Sequence, residues 1–309
     1  MRLHFKIISL LTFLIMFSTC FSQNSSYCPE QAFLIQKYKS KNFLNAADYI
    51  DTVVTQCPDK LNDAYFLHLC GFINFNIYRE IDGKSSSSSA RPAACDYFIK
   101  SINYDNTNLF TEKNLKAINS FSISYINDAL MIMQKMEFKN QNKALEYYNT
   151  FKKLKSIAEP NYDFSNISID FFNGMGRMYK MRYENDKINS KNLLDSCINY
   201  FNKSLAINSN QYTPNYDLGI LYHNLGVDII LEELDIDADL EMVILMQEQA
   251  VNYFSKSLPY LEKVYQMKPE ETSIVQGIAA VYYSLNDMEK HVKYMNILKG
   301  LESENPGDN

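Results

Sequence analysis

The chain has 309 residues, of which 46% are hydrophobic and 21% are charged, so it holds enough apolar material for a large core and is not intrinsically disordered. Glycine and proline number only 9 and 8, which argues against the many turns of a β-sandwich and against a Gly-rich phosphate-binding loop. The formal net charge of −6 lacks the basic excess typical of nucleic-acid-binding proteins, and we expect no nucleic-acid partner.

Residues 1–22 are predicted to be a secretory signal peptide. Two basic residues precede an apolar run over 7–17, and the small residues Cys20 and Ser22 mark a cleavage site after Ser22. The run is shorter than the ~18–20 residues of a membrane-spanning helix. We therefore expect an exported protein, periplasmic or secreted, with no membrane span after cleavage. Two alternatives stay open: an uncleaved anchor, and lipid attachment at Cys20, which would associate the protein with the outer membrane.

The rest of the chain is predicted to be helical throughout. Apolar residues recur at helical spacing, as in Ala144, Tyr147, Tyr148, Phe151 and Leu154, and no stretch shows the two-residue alternation of a strand. Short polar or Pro-marked breaks divide the helices into about six helical hairpins. Their predicted ranges are 29–57, 61–104, 111–158, 165–208, 212–266 and 272–300. Such a row buries its apolar faces by stacking, which predicts an all-α solenoid.

Five cysteines follow the predicted cleavage site, and an odd number leaves at least one thiol outside any intrachain disulfide. Cys28 precedes one predicted helix and Cys57 follows its hairpin partner. Because an antiparallel hairpin brings these two ends together, we predict a Cys28–Cys57 disulfide worth about 3 kcal/mol. Cys197 is predicted to be a buried packing residue.

The sequence carries no recognisable catalytic or metal-binding motif. The histidines of the mature chain, His68, His223 and His291, lie far apart and form no spacing that would aim two imidazoles at one metal. The acidic run 235–239 lacks the central Gly and the final bidentate Glu of an EF-hand calcium loop. We therefore predict a protein without enzymatic activity, cofactor or metal.

The C-terminal part resembles the tetratricopeptide repeat (TPR) family, which repeats a 34-residue pair of helices, A and B. The residues at the family's Leu-Gly pair and Tyr are Met175-Gly176 and Tyr179, Leu218-Gly219 and Tyr222, and Ile278-Ala279 and Tyr282. Nine extra residues around 183–191 interrupt the first of these units. Between Gly226 and Ser257 the expected turn is missing, so the helix runs long there or breaks near 235–239.

The resemblance implies a right-handed superhelical stack of TPR-like hairpins. After the signal peptide, residues 23–160 would form degenerate hairpin repeats and residues 161–309 TPR-like repeats continuous with them. Ala46, Ala47 and Ala144 are candidates for the small residues of helix B in the degenerate part. Other helical repeats remain open alternatives there, and so does a non-repeat helical bundle.

TPR arrays bind proteins or peptides on a concave face lined by A helices, and the resemblance implies the same use here. The family's contact positions fall on Asn173, Arg177, Lys180, Tyr216, Ile220, His223, Asn224, Gln276 and Tyr283. Only Asn173, Arg177 and Lys180 approach the residue set of a TPR carboxylate clamp. We therefore expect an exported, non-enzymatic scaffold for a protein or peptide partner. The alternative is a surface-exposed glycan- or nutrient-binding accessory protein that uses aromatic platforms.

Overall fold

A computed structural model describes residues 27–233 and 239–304. Every regular element within these ranges is helical, which confirms the predicted all-α fold. None of the helices in this part of the chain is both long and apolar enough to cross a bilayer. The predicted signal peptide and Cys20 lie outside the described residues.

The helices pair in chain order as hairpins 1 to 6, each with an A helix followed by a B helix. They are α1 (Pro29–Lys39) and α2 (Phe43–Gln56), α3 (Ala64–Asn76) and α4 (Ala90–Tyr104), α5 (Thr111–Gln134) and α6 (Gln141–Ala158), α7 (Ser165–Asn185) and α8 (Leu194–Ile207), α9 (Tyr212–Asp228) and α10 (Leu240–Met267), and α11 (Thr272–Ser284) and α12 (Met288–Glu304). These bounds confirm the six predicted hairpins. The chain divides into two compact units, 1–118 and 119–309, with the boundary inside α5.

Hairpins 1, 3 and 6 share one kind of tight turn between their helices. Each turn holds one residue in the left-handed region, with φ of 59° at Lys41, 51° at Met136 and 58° at Asn286. The next residue donates its backbone N–H to a carbonyl five positions earlier, at 2.9–3.1 Å. This is the hydrogen-bond pattern of a Schellman motif, which ends helix A and satisfies its last carbonyls.

Hairpins 2, 4 and 5 carry longer connections. The A helices of hairpins 2 and 5 continue into π-helical turns over Ile77–Ile81 and Ile229–Glu233, and hairpin 4 has a 3₁₀ turn over Lys191–Leu193. The connection of hairpin 4 runs over 186–193 and overlaps the predicted insertion at 183–191. In hairpin 5, Asp239 is extended and its side chain accepts the N–H of Met242 at 2.8 Å, so helix B begins at Leu240. Of the two predictions for this hairpin, the break near 235–239 is confirmed, and the helix that continues without a break is wrong.

A glycine of helix A brings the two helices together in hairpins 2, 4 and 5. A Cβ on Gly71, Gly176 or Gly219 would lie only 2.5–2.7 Å from a bulky side chain of helix B. The facing side chains are Phe98, Phe201 and Leu261, all fully buried. Because real Cβ atoms do not approach so closely, these seams require glycine. Gly176 and Gly219 stand at predicted repeat positions, whereas Gly71 was not predicted from the sequence.

Small side chains of helix B complete the packing between the two helices. Ala46 and Ala144 are fully buried, as their predicted positions require, whereas Ala47 is partly exposed. Ser101 and Ser257 are also fully buried. Each donates its hydroxyl to a main-chain carbonyl oxygen of the facing helix A, at 2.7 Å. A buried hydroxyl without such a partner would be destabilising.

Cys28 and Cys57 are joined by a disulfide, with their Cα atoms 6.2 Å apart. The bond links the start of α1 to the residue after α2, at the two ends that the sequence predicts to meet. Cys70, Cys95 and Cys197 are free thiols and are buried. Burial raises the pKa of Cys197 to about 12, so this thiol stays protonated and unreactive at neutral pH.

Candidate partner-binding site

The A helices of hairpins 4, 5 and 6 carry all nine predicted partner-binding residues and lie side by side. Lys180 of α7 reaches Asp217 of α9 with a 2.8 Å ion pair. Ile220 of α9 comes within 3.9 Å of the position that a Cβ on Gly277 of α11 would occupy. We refer to α7, α9 and α11 together as the A-helix row.

Two of the predicted cations converge on a carboxylate that the sequence analysis did not single out. Asp217 is 7% exposed. Its two oxygens accept from Lys180 Nζ at 2.8 Å and from Arg177 Nε at 3.2 Å. Glu184 lies 4.0 Å from the same lysine. Two positive and two negative charges therefore balance, and this cluster offers no surplus charge for a carboxylate clamp.

Asn173 precedes this cluster by one turn of α7 and is half-buried. Its Oδ1 atom is buried and has no hydrogen-bond partner among the described residues. Buried polar atoms are nearly always paired, because an unmet acceptor loses its hydration without replacement. The Asn173 carbonyl is therefore an unmet acceptor that lies beneath the surface of α7.

Tyr216 is held in a cluster at the junction of hairpins 5 and 6. Its ring stacks on that of Tyr212, with centroids 5.8 Å apart. The Tyr212 hydroxyl donates to Glu271 at 2.8 Å, and Lys268 Nζ lies 4.4 Å above the Tyr212 ring. Burial, followed by the Glu271 carboxylate, raises the pKa of Tyr212, while the same hydrogen bond lowers the pKa of Glu271. Tyr216 is therefore positioned by packing rather than free to reorient.

His223 and Asn224 follow on the same helix and differ in exposure. The His223 ring is half-buried, with its centroid 5.6 Å from that of Phe254. Burial lowers the pKa of His223, against the raising effect of its 3.4 Å contact with Asn224, so the imidazole is neutral at pH 7. Asn224 is exposed. A neutral imidazole has one donor and one acceptor nitrogen but no charge to attract an anion.

Gln276 and Tyr283 are the exposed members of the site on α11. They lie seven residues apart, which is about two helical turns and places them on one face. Tyr283 is 62% exposed, and its ring lies 5.3 Å from the imidazole of His291. That imidazole contacts the backbone carbonyl of Ala279 at 2.9 Å, which fixes one edge of the tyrosine. Tyr283 therefore presents an aromatic face to solvent.

The nine predicted residues fall into two groups by exposure. Arg177, Asn224, Gln276 and Tyr283 are exposed, whereas Asn173, Lys180, Tyr216, Ile220 and His223 are half-buried. Ile220 packs against the shared core of hairpins 5 and 6, so it also has a structural role. The prediction that these residues contact a partner remains a prediction.

Asp217 is the functional-site residue that the sequence analysis missed. It follows Lys180 by 37 positions and Arg177 by 40, which is one hairpin further along the chain. An acidic residue about one repeat after two basic residues is the signal that would have indicated this pairing.

Candidate metal-ligating side chains come together at one place among the described residues. Cys28, Glu30 and Cys57 lie within reach of a common point. The two cysteine sulfurs are bonded to each other, so neither is a thiolate available to a metal. Asp235 and Asp237 of the acidic run lie outside the described residues.

No protein-family model and no curated protein matches the sequence. Among solved structures, the crystal structure of MamA protein is similar at 16% sequence identity and a TM-score of 0.31, over 75% of this chain and 93% of that chain. An identity and a TM-score this low carry no inference about fold or function.

Proposed function

We propose that the protein is an exported, non-enzymatic, TPR-like scaffold that binds a protein or peptide partner on its A-helix row. The observation that carries this proposal is the contact between three successive A helices whose polar and aromatic side chains remain exposed. The exposed members are Arg177, Asn224, Gln276 and Tyr283. A wall of side chains from consecutive repeats, each fixed by its own hairpin, suits recognition of an elongated ligand.

The repeated packing supports the TPR-like assignment. Gly176 and Gly219 stand at the family's small position of helix A, and Gly71 makes the same close contact in hairpin 2. Ala279 occupies that position in hairpin 6 and is buried. The shared turn of hairpins 1, 3 and 6 adds a second recurrent feature. The recurrent glycine contact is the stronger support, because the turn is a common way for any helix to end.

The chemistry of the row favours an uncharged segment of a partner. The cations Arg177 and Lys180 are already compensated by Asp217 and Glu184. Gln276 and Asn224 offer amide donors and acceptors, which match a peptide backbone. Tyr283 supplies an exposed aromatic anchor of the kind enriched at interaction hot spots. An extended peptide with polar or apolar side chains therefore fits better than an acidic tail.

The Cys28–Cys57 disulfide supports the export part of the proposal. Disulfides persist in oxidising compartments and are rare in a reducing cytosol. A pairing at the ends of the first hairpin agrees with the predicted signal peptide.

The test is affinity capture from the native cell envelope with the tagged full chain. We expect one dominant protein to be captured by the natural chain, and at least about tenfold less of it by the Gln276→Ala/Tyr283→Ala variant, which is about 1.4 kcal/mol of binding. Tyr104→Ala/Asn202→Ala is the matched control, because it removes one exposed tyrosine and one exposed amide outside the row. Equal capture by both variants would refute the site, and recovery of polysaccharide in place of protein would favour the glycan-binding alternative.

A further inference from the structure

The far end of hairpin 5 exposes several large apolar side chains. We call this surface the hairpin-5 tip. Its members lie at the end of the A helix and at the start of the B helix: Ile230, Leu231, Leu240, Met242, Ile244 and Leu245. Leu231 and Leu240 are each 75% exposed. Contiguous exposed apolar side chains of this kind mark interaction sites more often than isolated ones do.

The tip is exposed because α10 is longer than the hairpin that follows it. α10 has 28 residues, whereas α11 and α12 have 13 and 17. Between residues 240 and 249 no side chain is fully buried, although Met246 packs against the core, and Ala250 is the first fully buried side chain of α10. The first turn and a half of the helix, before Met246, therefore contributes no side chain to the core shared with hairpin 6.

The residues that hairpin 5 contributes around the tip carry only negative charge, and Lys187 of the preceding hairpin pairs with one of them. No Lys, Arg or His occurs between residues 224 and 255. Among the described residues of this stretch, Asp239, Glu241 and Glu248 are exposed. Asp228 is the acidic residue whose ion pair is seen, with Lys187 at 2.6 Å.

The apolar and acidic residues of α10 form adjoining stripes. Leu240, Ile244 and Val251 fall within about 40° of one another around the helix axis, given about 100° of rotation per residue. Glu241 and Glu248 fall together about 40–60° to one side of Ile244 by the same rotation. A ridge of aliphatic side chains bordered by carboxylates is the complement of an amphipathic helix with a basic border.

We propose that the hairpin-5 tip is a docking site for a cationic amphipathic helix of a partner protein. The aliphatic ridge buries the partner's apolar stripe, and the carboxylates pair with the partner's Lys or Arg side chains. A second copy of this chain is disfavoured as the occupant, because its tip would bring like charges to the same interface. An anionic lipid surface is disfavoured for the same reason.

This docking site is distinct from the A-helix row and does not depend on it. The row is formed by three A helices with balanced charge, whereas the tip is formed by the two ends of hairpin 5 and carries the exposed carboxylates Asp239, Glu241 and Glu248. Binding at the A-helix row and binding at the hairpin-5 tip can therefore be tested independently.

The test uses a synthetic helical peptide of Leu and Lys, about 18 residues or five turns long, titrated into the full chain and followed by fluorescence anisotropy. Leu240→Ser/Ile244→Ser is expected to weaken binding at least about tenfold. Glu241→Gln/Glu248→Gln is expected to weaken it less and to reduce its dependence on salt between about 0.05 and 0.5 M, because screening then has fewer charge pairs to act on.

Two matched controls make the result specific. Val292→Ser removes another half-exposed aliphatic side chain of the same unit and is expected to leave the affinity unchanged. Gln276→Ala/Tyr283→Ala is expected to leave it unchanged as well. Absence of peptide binding, equal binding by the Leu240→Ser/Ile244→Ser variant, or a dimer that this variant dissociates would each overturn the proposal. Circular dichroism of each variant confirms that it is folded.

Discussion

Hairpins 2 and 5 share an inner architecture but end in opposite ways. Each has a glycine in helix A that admits a bulky side chain of helix B, namely Gly71 with Phe98 and Gly219 with Leu261. In each, helix A continues into a π-helical turn, and a buried serine of helix B bonds to a carbonyl of helix A. The helix–helix seam is therefore specified by a few positions that recur.

The two ends differ in what covers them. In hairpin 2, Tyr78 and Arg91 are 6% and 1% exposed. The serine-rich connection is tied down as well, since Ser88 donates its hydroxyl to Asp82. In hairpin 5, Leu231 and Leu240 remain 75% exposed. The connections between helices are thus free to diverge while the seam is retained, and a divergent connection is where a new binding surface arises.

The largest expected loss of stability comes from truncating the bulky side chain of helix B that faces the glycine of helix A. Phe98→Ala should lower the free energy of unfolding by about 3–5 kcal/mol and Leu261→Ala by about 2–5 kcal/mol, because each leaves a cavity among fully buried side chains. Urea unfolding followed by circular dichroism measures both losses. Leu109→Ala, at a side chain 70% exposed, is the control and should change little. A loss below about 1 kcal/mol at either seam would show that the two hairpins do not share this packing.

Adding a methyl group between the two helices, at the glycine of helix A, should destabilise the protein by a smaller amount. Gly71→Ala and Gly219→Ala should each cost about 1–3 kcal/mol through overpacking. Gly300→Ala has open space around its Cβ and should be neutral or stabilising by up to about 1 kcal/mol.

A double-mutant cycle sharpens this prediction for hairpin 2. The three atoms nearest to a Cβ on Gly71 all belong to the Phe98 ring. Gly71→Ala should therefore cost little when Phe98→Ala is already present, and additive losses would contradict direct contact between the two residues.

Replacing the buried serine of helix B should lower the free energy of unfolding by different amounts in hairpins 2 and 5. Ser257→Ala should cost about 1 kcal/mol, the net value of one buried hydrogen bond. Ser101→Ala should cost more, about 1–3 kcal/mol, because Ser101 also accepts from Asn114 at 2.9 Å and that fully buried amide would lose a partner. Equal losses in thermal or urea unfolding would mean that Asn114 finds another acceptor.

The smallest effect is expected at the hairpin-5 tip. Leu231→Ser and Leu240→Ser should change the free energy of unfolding by no more than about 0.5 kcal/mol, since both side chains are largely exposed. A loss of about 2 kcal/mol in the same unfolding assay would show that the tip is covered within the folded chain.

Helical periodicity and short polar breaks were sufficient to predict all six hairpins, because both signals are local. Gly71 was missed because Asn74 stands where the repeat pattern has tyrosine, so the motif is incomplete although the packing is the same. Asp217 was missed because its partners lie one hairpin earlier in the chain. The exposure of Leu240 and Ile244 was not predictable either: aliphatic residues at helical spacing indicate a core, and only the lengths of the neighbouring helices leave these two uncovered.

Site-specific photocrosslinking on the A-helix row tests the central claim most directly. A benzophenone amino acid replaces Tyr283 in the full chain within the native envelope, and a second sample carries it at Tyr104, an exposed tyrosine outside the row. We expect one discrete protein adduct from position 283 and none from position 104. The same adducts from both positions, or no protein adduct from position 283, would contradict a partner-binding row.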